Sequence, residues 1–248
     1  MALIKSQLDI SQKLNLLSQA SRYDLACACA TRPDEHRQRS SEQKWIYPVS
    51  LPQGGTTFLF KTLLSNACRN NCRYCPLRST QDNPRIRLKP YELARTFLEY
   101  YRKRRVSGLF LSSGVDTDPE FTMGRIIQTA EIIRRSGFRG YLHLKVIPGA
   151  SQNSIRRLVS LASAASVNIE LPEPNELQSL AKEKDFDRDI LPTMDFISRL
   201  RLEREPSRRP HQTTQFIVGA GTETDRQIVH RSFLLYKELK LNLSLIHI

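Results

Sequence analysis

Long apolar runs are missing from this chain of 248 residues. No stretch approaches the roughly 20 apolar residues that a membrane-spanning helix needs, which excludes an integral helical membrane protein. Residues Met1 to Gln19 alternate polar and apolar types and hold no apolar signal core, so a secretory leader is not read there either. Cysteine is scarce, five in all, and three of the five fall between positions 68 and 75. That spacing in a chain this long is no disulfide framework, and the cytoplasm is the expected compartment. Acids are in deficit, 25 against 38 Lys and Arg, for a net charge of +13. Such a charge suits a polyanionic partner, or it is a solvated face that serves solubility. Apolar residues make up an ordinary 40%, which excludes a disordered chain and allows a sizeable core.

The chemistry is concentrated in Asn66-Ala-Cys-Arg-Asn-Asn-Cys-Arg-Tyr-Cys-Pro-Leu-Arg78, directly after the apolar run Thr57 to Leu64. Cys68, Cys72 and Cys75 stand at C-x3-C-x2-C spacing. Three thiolates from one short loop can hold three irons of a [4Fe-4S] cluster, and with no fourth cysteine nearby the last iron is left open for chemistry. A zinc site competes poorly: it wants four tetrahedral ligands, and no Cys or His stands at C-x2-C or H-x3-H spacing to complete one. Cys27 and Cys29 could serve a second metal or could be small buried thiols.

The triplet, with Tyr74 just before its last cysteine, resembles the radical S-adenosylmethionine (radical SAM) superfamily. Further strings resemble one subgroup, the putative DNA modification/repair radical SAM proteins. They are Tyr23-Asp-Leu-Ala-Cys27, Leu63 to Cys68, Gly108 to Gly114, Gly140 to Gly149 and Val167 to Pro172. The resemblance implies a [4Fe-4S] cluster on the three cysteines, with S-adenosylmethionine chelating the open iron. It implies reductive cleavage to a 5′-deoxyadenosyl radical that abstracts a substrate hydrogen, and DNA or another nucleic acid as substrate class. An electron donor such as flavodoxin or ferredoxin is implied too. The subgroup's usual C-terminal helix-hairpin-helix region has no counterpart here.

Cofactor-binding candidates follow from the same resemblance. Ser112, Ser113 and Gly114 end a strand where the family carries a Gly-Gly-Glu type motif; Val115 follows, so the acid is missing. Asn168 and Glu170 alternate with Val167, Ile169 and Leu171, which points both to one face. Inward polar residues are costly unless they bind something, although an ion pair of Glu170 with Lys145 would also satisfy them. His143 and Lys145 share a face by the same period and could meet substrate or cofactor, or pair within the core. Gly219 opens a Gly-Ala-Gly turn that resembles a family motif near adenine; turn chemistry explains it equally well.

The fold class expected is α/β, a partial (β/α)6 barrel of parallel strands with outer helices, behind an N-terminal helical extension. The extension is residues 1–50, with a helix from Asp9 to Arg22 and a polar loop from Thr31 to Lys44; the core domain is 51–248. Strands are expected over Thr57–Ser65, Gly108–Ser113, Gly140–Ile147, Ser166–Leu171 and Thr213–Val218. Helices alternate with them over Pro90–Tyr101, Pro119–Ser136, Ser151–Ala162, Pro174–Ala181 and Thr222–Lys240. Lys182 to Pro210 is charged and reads as an extended connection. Leu241 to Ile248 resembles the start of a sixth strand and then stops, the mark expected of a partial barrel. Residues 61–105 carry twelve Lys or Arg against three acids, which reads as a basic rim at the site's mouth or as a solvated face. A non-catalytic iron–sulfur module that binds nucleic acid, and a radical enzyme acting on a small molecule or peptide, remain as alternatives.

Overall fold

The computed structural model describes residues 8–21, 45–51 and 53–247; Cys27, Cys29 and the polar loop lie outside them. Seven strands form one sheet in which spatial order equals chain order. β1 (Ile46–Ser50) runs antiparallel to β2 (Thr56–Leu63). β3 (Gly108–Ser112), β4 (Tyr141–Lys145), β5 (Ala164–Ser166), β6 (His211–Ile217) and β7 (Leu243–His247) continue from β2 in parallel. Every parallel step needs a crossover, and α2 (Pro90–Arg102), α3 (Pro119–Arg135), α4 (Gln152–Leu161), α6 (Leu191–Leu202) and α7 (Asp225–Leu239) supply them. α1 (Ile10–Ala20) precedes the sheet, and α5 (Pro174–Leu180) is an added helix between β5 and α6. The result is an open (β/α)6 barrel.

Local chemistry starts and stops these helices. Asp9 and Gln12 form a capping box on α1; Pro90 and Pro119 open α2 and α3 at a position where a missing N–H costs nothing. The Ser151 hydroxyl accepts from Ser154 N–H at α4. Just past the end of α3, Gly137 takes φ +86°, the left-handed residue that closes a helix.

Strand alternation separates two cores. Phe60, Leu109, Leu111, Leu142 and Leu144 face outward and pack with Phe97, Met123, Ile126 and Leu158 of the helices. Tyr47, Val49, Leu59 and Phe110 form a separate inner plug with Tyr141 against it. Just above the plug Lys61 is fully buried, its ammonium 4.4 Å from the Tyr47 ring centroid. His143 packs on Phe110, with Nε2 2.8 Å from Ser166 Oγ. His143 therefore belongs to the barrel's interior, one layer below the open end.

Three expectations need correction. Strand four lies earlier, at Ala164–Ser166; beyond it the chain leaves the ladder and touches β6 through one bridge, Glu170 to Phe216. Lys182 to Pro210 is no plain connection, since a π-helical turn (Phe186–Ile190) leads into α6. Its charge misled because Arg201 is buried and caps the carbonyls of Pro210 and Lys240 at 3.0 and 2.7 Å. The basic rim also divides: α2 runs back along the barrel and carries Arg102 to Arg105 to the strands' N-terminal end, while Lys61 is interior.

Candidate active site

A cavity of about 240 Å³ opens at the C-terminal ends of the strands, where parallel barrels carry their sites. Cys68, Cys72 and Cys75 line it from the loop after β2, facing Ser112, Ser113 and Gly114 of the β3 end. Asn70, Tyr74, Lys145, Asn168, Glu170, Lys184 and Gln215 complete the polar lining.

The cysteine loop has no regular structure of its own, so side chains hold its shape. Arg85 donates to four backbone carbonyls, those of Asn66, Leu77, Arg78 and Gln81, at 2.8–2.9 Å. The planar fork of an arginine is suited to such a task, having five fixed donors. Asn83 donates to the Pro76 carbonyl at 2.7 Å, and Asn66 bridges Pro84 and Ile86. Across the cavity mouth, Arg73 N–H donates to the Leu180 carbonyl at 2.8 Å. Nothing in the spacing marks Arg85 as a staple; in the sequence it is one more charge in a basic run.

Gly114 is where the β3 end and the cysteine loop touch. A Cβ added there would meet the Ala67 carbonyl oxygen at 2.5 Å and Cys68 Cβ at 3.2 Å. Only glycine permits that approach without moving backbone, so this residue fixes where Cys68 stands. Gly114→Ala is expected to reduce cluster iron several-fold while far-UV circular dichroism stays unchanged, the strain of roughly 1–3 kcal/mol being confined to the loop. Full iron content in that variant would refute the role.

Asp116, two residues on, is the next acid after the Ser-Ser-Gly-Val string, but it is not among the residues that line the cavity. Its carboxylate accepts from Arg87 at 2.5 and 2.7 Å, from Ser65 Oγ at 3.2 Å and from Thr117 N–H at 3.0 Å. Burial pushes its pKa up, but Arg87, Ser65 and Thr117 together hold it below the ordinary value. A depressed folded-state pKa means stabilisation that is complete above the unfolded value, about 3.9, and lost as pH falls through the lower folded one. Thermal melts are therefore expected to decline below about pH 4 more steeply in the wild type than in Asp116→Asn. Parallel declines would show that the carboxylate is not responsible.

Asn168 and Glu170 both reach the cavity, though not by strand alternation. Glu170 sits at φ +67°, held there because its N–H donates to Gln215 and its carbonyl accepts from Ile217 N–H at 3.0 and 2.7 Å. A left-handed non-glycine residue costs about 1 kcal/mol or more and tends to mark a functional site. Glu170 Oε1 accepts from Tyr74 OH at 2.8 Å and from Lys184 Nζ at 2.6 Å, and Lys184 also donates to Tyr74 OH at 2.6 Å. The partner of Glu170 is thus Lys184, not Lys145, whose ammonium instead donates to Asn168 Oδ1. Lys184 was hidden in the charged segment after α5 and gave no signal in the sequence. Gly219 is not among the lining residues: its N–H donates to Glu223 Oε1 at 2.6 Å, with φ +77°, so turn geometry accounts for it.

The electrostatics follow from burial. The Cys75 thiol is pushed up to about 11 by burial. Cys72 is raised for the same reason, against the opposing pull of the Lys184 charge. Tyr74 is pushed well above its ordinary value by burial and by the Glu170 carboxylate. Burial disfavours the Lys184 ammonium, but Glu170 and the nearby thiols outweigh it and raise its pKa.

These residues fit a [4Fe-4S] cluster with a ligand on its open iron. Three sulfurs face the cavity, and among the described residues no fourth cysteine does. Among the described residues no three His, Cys, Asp or Glu side chains converge tightly enough for a single metal ion. Glu170 Oε2, buried in the cavity wall, has no hydrogen-bond partner among the described residues; such an orphan acceptor expects a donor from a bound molecule.

A parallel barrel with a three-cysteine loop over its C-terminal mouth defines a class of cluster-bearing enzymes. Residues 62–234, more than half of the chain, match the Radical SAM superfamily model, and the chain belongs to that superfamily. Its members use a [4Fe-4S] cluster and S-adenosylmethionine. Solved structures agree in fold. The [FeFe]-hydrogenase maturase HydG from Carboxydothermus hydrogenoformans aligns at TM-score 0.58 and 17% identity, covering 75% of this chain and 43% of that one. Methylornithine synthase (PylB) aligns at 0.57 and 13% identity, covering 77% and 54%. This chain thus spans about half the length of those structures. No curated protein matches it. Among the described residues no helix is long and apolar enough to cross a membrane.

Proposed function

We propose that this chain is a radical SAM enzyme that modifies or repairs nucleic acid. The observation that carries the enzymatic reading is the orphan Oε2 of buried Glu170, in the same cavity as all three cysteines. When bound, the cluster with S-adenosylmethionine supplies reductive cleavage and a carbon radical. The chain's own residues do the rest. Cys68, Cys72 and Cys75 would ligate the cluster. Glu170 Oε2 would accept a hydrogen bond from the cofactor, and Ser112, Ser113 and Gly114 would help to hold it from the facing wall. Asn168 and Lys145 add an amide and a cation on the adjoining strand ends. The Tyr74–Glu170–Lys184 set ties the cysteine loop to the opposite rim and keeps water from that side of the cavity.

The nucleic-acid reading, shared with the DNA modification/repair subgroup that the sequence resembles, draws support from Arg69 and Arg73, which stand exposed on the cysteine loop. The buried Lys145 ammonium in the cavity favours a second reading, a small anionic substrate. Electron paramagnetic resonance of anaerobically reconstituted, reduced protein tests the enzyme: a [4Fe-4S]⁺ signal that shifts with S-adenosylmethionine is expected, and an unmoved signal refutes it. If cofactor cleavage then rises with oligonucleotide, nucleic acid stands as substrate; indifference to it favours the small molecule.

A further inference from the structure

At the opposite end of the barrel, the return from α2 to β3 forms a second cleft of about 450 Å³. Arg102, Arg104 and Arg105 line it with Tyr101, Phe58 and Ser107, and all six are exposed. From Thr57 in this cleft to Leu63 at the cysteine cavity is six residues of β2, about 20 Å. The two surfaces share no residue.

Three features set the cleft apart from an ordinary solvated turn. Its charge is only partly engaged: Arg105 lies over the Tyr100 ring, 5.9 Å from its centroid, the nearby acid, Glu99, is taken by Lys103 at 2.6 Å, and among the described residues Arg102 and Arg104 make no ion pair. Its aromatic ring is fixed. Tyr101 stacks on Phe97 and meets Phe138 edge-on, with a 4.7 Å centroid separation, yet stays 40% exposed. Phe58, 46% exposed, stands beside it. Arg104 also occupies a left-handed position, φ +56°, just past the end of α2. At the same place after α3 the chain uses glycine, Gly137, which carries no such strain. An arginine kept where glycine fits better points to a use for its side chain.

We propose that this cleft binds single-stranded nucleic acid, with phosphates on the three arginines and a base stacked on Tyr101. Guanidinium groups grip phosphates bidentately, and a rigid aromatic accepts any base on its face. Together these favour a nucleotide strand, which offers a phosphate and a ring in every repeat unit, over an acidic protein surface, where a ring beside the acids is not a repeating feature. The cleft acts as an anchor at the far end of the barrel. It does not rest on the substrate proposed above, because binding is read without turnover.

The test is fluorescence anisotropy of a labelled oligothymidine with the full chain across a salt series. Three phosphate contacts on a single strand predict that Arg102→Gln/Arg104→Gly/Arg105→Gln lowers the log–log salt slope by about 2. Tyr101→Ala is expected to weaken binding roughly ten-fold with the slope retained. Arg104→Gly taken singly removes a cation and relieves the backbone, so it should weaken binding without lowering the melting temperature, which separates binding from folding. An unchanged slope in the triple variant overturns the proposal. So does a triple variant that loses poly-glutamate but keeps the oligothymidine, which would assign the cleft to an acidic protein.

Discussion

Alanine at any one of Cys68, Cys72 or Cys75 is expected to take cluster iron from about four per chain to near zero and to abolish both the reduced-cluster signal and cofactor cleavage. The three sulfurs come from a single loop, and among the described residues no other cysteine lies in the cavity to replace a missing one. Two thiolates cannot hold the cube against loss to solvent. The fold should survive, because the barrel's apolar core is built on β2 to β6 and their helices, and Cys72 is one small member of it. Alanine is preferred to serine at Cys72, which is buried, since serine would bury a hydroxyl there without a certain partner. Iron analysis and circular dichroism on the same sample decide the matter. Retained iron in any single variant would mean that the triplet is not the ligand set. Lost secondary structure would mean that the loop supports the barrel as well as the cluster.

The order of strands and helices was legible because its punctuation is local. Pro90, Pro119, Ser151 and Gly137 mark helix ends by their own backbone chemistry, and the apolar runs between them are buried strands. The cysteine triplet was legible for a similar reason, being a short-range spacing. What sequence could not give were the contacts closed by distant segments. Ser166 to Leu171 has the alternation of a strand, but pairing with Gln215 and Ile217 turns Glu170 into the left-handed region instead. α6 was masked by arginines that look solvated and are in part buried carbonyl staples. The basic rim failed through geometry: a thirteen-residue helix spans about 20 Å, enough to carry Arg102 to Arg105 from the site to the far face. Counting charge along a chain says where it lies in sequence, and one crossover helix is enough to reverse where it lies in space.

The largest effect away from the cysteines is expected at Lys184. Its ammonium is shared by Glu170, on the strand side, and by Tyr74, on the cysteine loop, so Lys184→Met cuts both ties at once. Glu170 is 2% exposed, and a carboxylate left unpaired at that depth costs about 3–5 kcal/mol. For a chain of this size that lowers the melting point by roughly 6–20 °C. Lys184→Met/Glu170→Leu should recover part of the loss, because the double variant buries no lone charge; a strictly additive loss would show that the two are not coupled. Lys184 acts on the cluster as well. Its positive charge favours the thiolate forms of Cys72 and Cys75, and the same field favours the extra electron of a reduced cluster. The midpoint potential should therefore fall in Lys184→Met and stay near the wild-type value in Lys184→Arg. A potential that does not move in either variant would confine Lys184 to holding the loop in place.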